Sequence, residues 1–248
     1  MRPTKQHYLR VSAELEHSAE AETLEGASEY EKMLFLLARH QKNLKGVQSM
    51  EQRAAMKREY LADYLPWIEG ALAAGTGKQD NVLMTWLVWA IDCEEYPLAL
   101  RIAEYALHQD LVLPEQFSRT VPTLVAEEFA DAAKKALQLQ QANFDVELLQ
   151  RVAELTEYKD MPDQSRARLY REIGLLLKDT NQAEALAAME KAWSLDDKIG
   201  LKTEVNKLRK ALGKAEEEEP NKGETETETK TGEATATNQA DASKQAEA

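Results

Sequence analysis

Carboxylates that converge on a divalent metal would give this chain hydrolytic chemistry, and two groups offer the residue types: Asp145 with Glu157 and Lys159, and Asp160 with Asp163 around Pro162. Such acids hold the ion and orient the attacking water. Both groups fall in segments that read as helices and turns, whereas the common metal-nuclease core sets its acids on strands. Charged runs of this kind describe solvated helix faces, so no metal site is expected. Gly77-Lys78 invites comparison with a phosphate-binding loop. However, Leu72 stands where the first glycine of that motif belongs, and Gln79 replaces its Ser or Thr. The stretch reads as a plain loop. Cys93 is the single cysteine, and with His7, His17, His40 and His108 it shows no metal-ligand spacing and no nucleophile-base set. No cofactor is expected. Trp67, Trp86, Trp89 and Trp193 are able to stack on bases, but rings at helical spacing among Leu, Ile and Met read as core.

Charge carries the strongest signal. The formal net charge of -13 is unevenly spread: residues 215–248 hold ten acidic and three basic side chains, a balance of -7, which leaves -6 on residues 1–214. Within that body, Lys32, Arg39, Lys42, Lys45, Arg53, Lys57 and Arg58 face the single acid Glu51 across residues 32–58, a local balance of +6. Arg39, Lys42 and Lys45 lie opposite the apolar stripe Met33, Leu36, Leu37, His40, Leu44 and Val47 on a helical wheel. Positive side chains on one face displace counterions from phosphates and bind DNA with little sequence preference. The candidate DNA-binding residues are therefore Arg39, Lys42 and Lys45, extended by Arg53 and Arg58 from the next helix. Lys57 sits closer to the apolar seam. A solvated lysine-rich face is the competing reading of the same pattern.

The elements that must carry this face are helices. Ala, Leu, Glu, Lys and Gln dominate, Gly and Pro are few, and an all-α fold follows. An arm with a short helix is expected over residues 1–26, and a basic helical hairpin over 27–79. Gly46 breaks that hairpin, and Ser49 with Gln52 restarts it in capping-box form. In its second helix Met50, Ala54, Leu61, Leu65 and Ile68 are expected to pack on the first, and Pro66 to kink or restart the helix. A helical body is expected over 80–213, with a buried helix from Val82 to Ile91 and further helices near Leu124–Gln140 and Val146–Glu157. Within the body, Ala99–Leu107 resembles Ala185–Trp193, and the second copy, with Tyr170, Ile173, Gly174 and Leu177, approximates a tetratricopeptide-like hairpin. Two copies do not make an array. Residues 214–248 contain no large apolar residue and are expected to be a disordered acidic tail. No apolar run has the length of a signal peptide or membrane span, so a cytoplasmic protein without membrane contact is expected.

Several segments taken together resemble the small terminase subunit family of P-two-like temperate phages, also called the terminase endonuclease subunit. They are Tyr8–Ala13, Tyr30–Leu34, Lys57–Glu59, Leu65-Pro-Trp67 with Gly70, Gly75–Asp80, Leu83–Thr85 with Trp89 and Asp92, Ala99–Leu107, Arg119-Thr120 with Pro122, Met161–Asp163, and Leu195-Asp196. No single segment is diagnostic, but they run in order over about residues 8–210. The resemblance implies a subunit that binds phage double-stranded DNA at the cohesive-end or packaging site and forms a homo-oligomer in the bacterial host cytoplasm. It further implies direction of the large ATPase subunit in cleavage and packaging. Cleavage is assigned to the complex, since the residues show no catalytic centre. The acidic tail departs from the Lys/Arg-rich ending of the family. Two other readings compete: a tetratricopeptide-like adaptor that binds only protein and, more weakly, an independent metal nuclease.

Overall fold

A computed structural model describes residues 24–139 and 144–213, together with His7 and Arg10. Among these residues there are nine helices of useful length and no strand, so the fold is all-α. The expected N-terminal arm, apart from His7, Arg10 and the start of the first helix, lies outside the described residues, and so does the acidic tail.

The first two helices, α1 (Leu24–Lys45) and α2 (Met50–Ala74), form the hairpin. The break falls at Gly46, and Ser49 caps α2 by accepting the Gln52 N–H at 3.2 Å. Two expectations are corrected in part here. Pro66 does not restart the helix: α2 runs through it for 25 residues. The side chains around it are fully buried at Tyr64, Trp67 and Ile68, so tertiary packing outweighs the one backbone hydrogen bond that proline removes. The packing face of α2 differs in part: Ile68 is buried as expected and Ala54 and Leu61 are half-buried, but Met50 and Leu65 are exposed, and the buried stripe is Tyr64, Trp67, Ile68 and Ala71. Aromatic volume on that stripe, rather than the aliphatic positions, sets which way α2 faces.

Behind the hairpin, α3 (Asn81–Asp92) is apolar on nearly every side and buried from Val82 to Leu87, as a helix at the centre of a layered core must be. The body continues through α4 (Tyr96–His108), α5 (Val121–Gln138), α6 (Val146–Thr156), α7 (Asp163–Leu177), α8 (Gln182–Leu195) and α9 (Lys202–Ala211). Asp145 and Asn181 cap α6 and α8 by accepting the N–H groups of Glu147 and Glu184. The similar segments of α4 and α8 bury corresponding positions: Ala99, Ile102, Ala103 and Ala106 in one, Ala185, Ala188, Met189 and Ala192 in the other. At Gly174 the α7 backbone approaches α8 so closely that an added Cβ would lie 2.5 Å from Met189 Cγ and 3.1 Å from the Ala185 carbonyl oxygen. No described helix is long and apolar enough to cross a membrane.

Candidate nucleic-acid interface

The inner side of α1 is apolar except at Glu29 and His40. Met33, Leu37 and Leu44 are buried, and so is His40, whose ring stacks on Tyr60 at 3.7 Å and nearly parallel. His40 Nδ1 and the Tyr64 hydroxyl share a 3.0 Å hydrogen bond. Burial and the neighbouring Arg39 guanidinium hold the imidazole below its ordinary range, against a smaller opposing effect of Asp63. Burial also raises the Tyr64 phenol. Tyr64 then meets Trp86 at 5.0 Å, and Trp86 meets Trp89 edge-on at 5.3 Å. A chain of rings thus fastens α1 to α2 and α3, and with the ring system on the inside, the remaining face of α1 is turned to solvent. Trp67, Trp86 and Trp89 are core side chains, as expected, and Trp193 is partly buried against the same core.

That outer face carries Arg39, Lys42 and Lys45, all exposed. Among the described residues no hydrogen bond or ion pair engages any of the three side chains. The other cations of the basic segment are spoken for. Lys32 pairs with Glu29 at 2.6 Å. Arg53 is half-buried, and its Nε donates to the Val47 carbonyl at 2.6 Å, which ties the hairpin turn to α2. Arg58 donates to the Cys93 carbonyl at 2.6 Å, an acceptor left over at the end of α3 where a cation also meets the negative pole of the helix. Lys57 is mostly buried, ion-paired with Asp92 and set over the Trp89 ring at 5.6 Å. Cys93 buries its thiol, which desolvation pushes up to about 11, and donates it to the Ala54 carbonyl at 3.6 Å. The structure therefore brings Arg39, Lys42 and Lys45 together on one surface, while Arg53 and Arg58 spend hydrogen bonds inside the fold.

A second cation-bearing place makes the contrast plain. Between α4 and α6 an open cleft of about 700 Å³ is lined by Leu72, Arg101, Tyr105, His108, Arg151 and Lys159, among others. Its cations are matched by acids: Arg101 forks onto Glu69 at 2.9 and 3.1 Å, Arg151 bonds Glu104 and Glu154, and Lys159 bonds Asp110 at 2.6 Å. Locally neutral surface of this kind attracts no polyanion.

The carboxylates considered for metal chemistry have structural positions. Asp145 is the α6 cap, and Asp163 begins α7. Among the described residues no group of three or more His, Cys, Asp or Glu side chains is placed to hold a metal ion. The loop of Gly77-Lys78 is a joint between helices. Gly75 and Gly77 take left-handed φ of 65° and 70°, the Gly77 N–H donates to the Tyr105 hydroxyl at 2.8 Å, and Gln79 both accepts from and donates to the Val112 backbone. Asp80 closes the loop, fully buried. One oxygen caps α3 on the Val82 and Leu83 N–H groups, and the other accepts the Trp67 indole N–H at 2.8 Å.

Sequence reasoning passed over one surface residue. Phe35 is 75% exposed, at the head of the cationic row. The signal was available, since Phe35, Arg39 and Lys42 fall at i, i+4 and i+7 on a single helical stripe.

Residues 34–164, which span the cationic row, the aromatic chain and the Asp80 joint, match the family of the phage small terminase subunit. The chain is 41% identical over 219 residues, 88% of each protein, to the "Terminase, endonuclease subunit" of Escherichia phage P2. No solved structure matches. A match over more than half of the residues and a near full-length relative at that identity lead to one conclusion: this chain belongs to the phage small terminase subunit family.

Proposed function

We propose that the chain, within a DNA-packaging terminase, binds phage double-stranded DNA at the cohesive-end or packaging site through the outer face of α1. It directs the large ATPase subunit to that site for cleavage and packaging. The observation that carries the reading is the row Arg39, Lys42 and Lys45, exposed and without a protein acceptor among the described residues, in a protein of net charge -13. Unpaired cations held on a rigid helix are the groups able to replace condensed counterions on a duplex. Arg53 and Arg58 border the face and give it rigidity first, phosphate contact second. The relative's name credits it with endonuclease function. For this chain we assign cleavage to the assembled terminase, with this subunit choosing the site as a homo-oligomer.

The test is salt dependence. Replacing Arg39, Lys42 and Lys45 together by Gln removes up to about three phosphate contacts, so the slope of log affinity against log salt should flatten by up to about three. Binding to every sequence weakens, while the melting temperature stays that of the parent. Unchanged affinity and slope would sink the assignment of this face to DNA. The matched burial of α4 and α8 supports a second reading, a tetratricopeptide-like adaptor that binds protein alone. That reading requires no salt-dependent retardation of DNA at all.

A further inference from the structure

Phe35 does nothing for the core. The inner stripe of α1 is complete without it, since Met33, Leu37, His40 and Leu44 are buried while the Phe35 ring is 75% exposed. Its neighbours one turn away on the surface are Glu31, Lys32, Ala38 and Arg39, all exposed. Lys42 lies a further turn along the same stripe. From the rise of an α-helix, Phe35 to Arg39 spans about 6 Å and Phe35 to Lys42 about 10 Å. The longer distance covers about three base steps of a duplex at about 3.4 Å each. An exposed aromatic ring in line with unpaired cations is a surface with both of the groups that grip a nucleic acid: charges for the phosphates and a π-face for the bases.

We propose that Phe35 is a base-contacting wedge, inserted against the bases of duplex DNA whose phosphates are held by Arg39 and Lys42. The proposal rests on the DNA-binding reading above and adds to it a contact with the bases, which the cations alone do not make. Duplex DNA is the occupant that the charge favours, because a second copy of this face would bring Arg39, Lys42 and Lys45 against their own kind.

The experiment uses the full-length chain and a mixed-sequence duplex carrying 2-aminopurine at successive positions, whose fluorescence rises when the base is unstacked. The parent should raise the signal at one step. Phe35→Ala should abolish that rise and weaken binding roughly tenfold, with the salt slope and melting temperature unchanged, and Phe35→Trp should restore both. The triple Gln variant should flatten the slope, which separates the two ideas. If it does so while Phe35→Ala keeps parental affinity and fluorescence, the wedge is wrong and the DNA face stands. If neither variant changes anything, both fail. If Phe35→Ala lowers the mass in light scattering while DNA binding is untouched, the ring belongs to an interface between copies, and the proposal is overturned.

Discussion

His40 is an ionisable ring in a place that suits a neutral one, stacked on Tyr60 and bonded to Tyr64 inside the hairpin. Its folded pKa lies below the ordinary value of 6.5, chiefly through burial. A depressed pKa means that the stability of the neutral form is fully present above the unfolded value and is lost as pH falls through the folded one. Urea unfolding of the parent should therefore weaken between pH 7.5 and pH 5.5 more than that of His40→Gln, and parallel pH profiles would refute the assignment. Glu172 has the opposite sign. It is buried with Oε2 lacking a partner among the described residues, and desolvation raises its carboxyl, although Arg171 opposes the shift. A raised pKa makes its contribution present below the ordinary carboxylate range and lost as pH rises. At pH 7 Glu172→Gln should accordingly unfold at higher urea than the parent, and a lower midpoint would show that the charge is needed where it sits.

At the scale of elements, joints between helices carry as much information as the helices. Asp80 satisfies the first N–H groups of α3 with one oxygen and holds the α2 residue Trp67 with the other. Its truncation removes a cap and a charged hydrogen bond at a site closed to water. Asp80→Ala should cost about 3 kcal/mol in chemical denaturation, while Asp80→Asn should recover part of the loss by keeping the cap. A loss under about 0.5 kcal/mol would place Asp80 among ordinary surface positions. The α7–α8 pair depends on the absence of a side chain at Gly174, where a Cβ would meet both Met189 and backbone atoms of α8. Met189 is able to turn away, but the Ala185 carbonyl is not. Gly174→Val should destabilise by about 2 kcal/mol through overpacking, measured by the same unfolding, with the DNA affinity proposed for the α1 face unaffected.

For the whole molecule, charge and core divide the chain differently. The buried apolar residues run from Met33 to Leu208, whereas more than half of the net negative charge falls on residues 215–248, which hold no large apolar side chain. Deleting residues 214–248 removes acid without removing core-forming groups. The melting temperature should stay within a degree or two of the parent, and a large drop would show that those residues support the fold. The shortened chain, its net charge less negative by six, should under the proposed DNA-binding role also bind DNA somewhat more tightly at low salt, an effect that fades as salt screens the field.

Periodicity and composition determined the all-α class, the burial of the Trp67, Trp86 and Trp89 rings, the break at Gly46 with its Ser49 cap, and the outward placement of Arg39, Lys42 and Lys45. These follow from local rules, because a 3.6-residue repeat decides which side chains share a face before any partner is chosen. The tertiary structure decided what distant residues do to one another. It turned α2 onto Tyr64 and Trp67 in place of Met50 and Leu65, and carried the helix through Pro66. It also took Lys57, Arg53 and Arg58 into contacts with Asp92, Val47 and Cys93, two of them 35 positions away in the chain. A wheel counts a lysine as a charge on a face, but whether that charge remains available depends on the carboxylate or carbonyl that folding brings beside it. That is a property of packing between helices, which no spacing along one helix encodes.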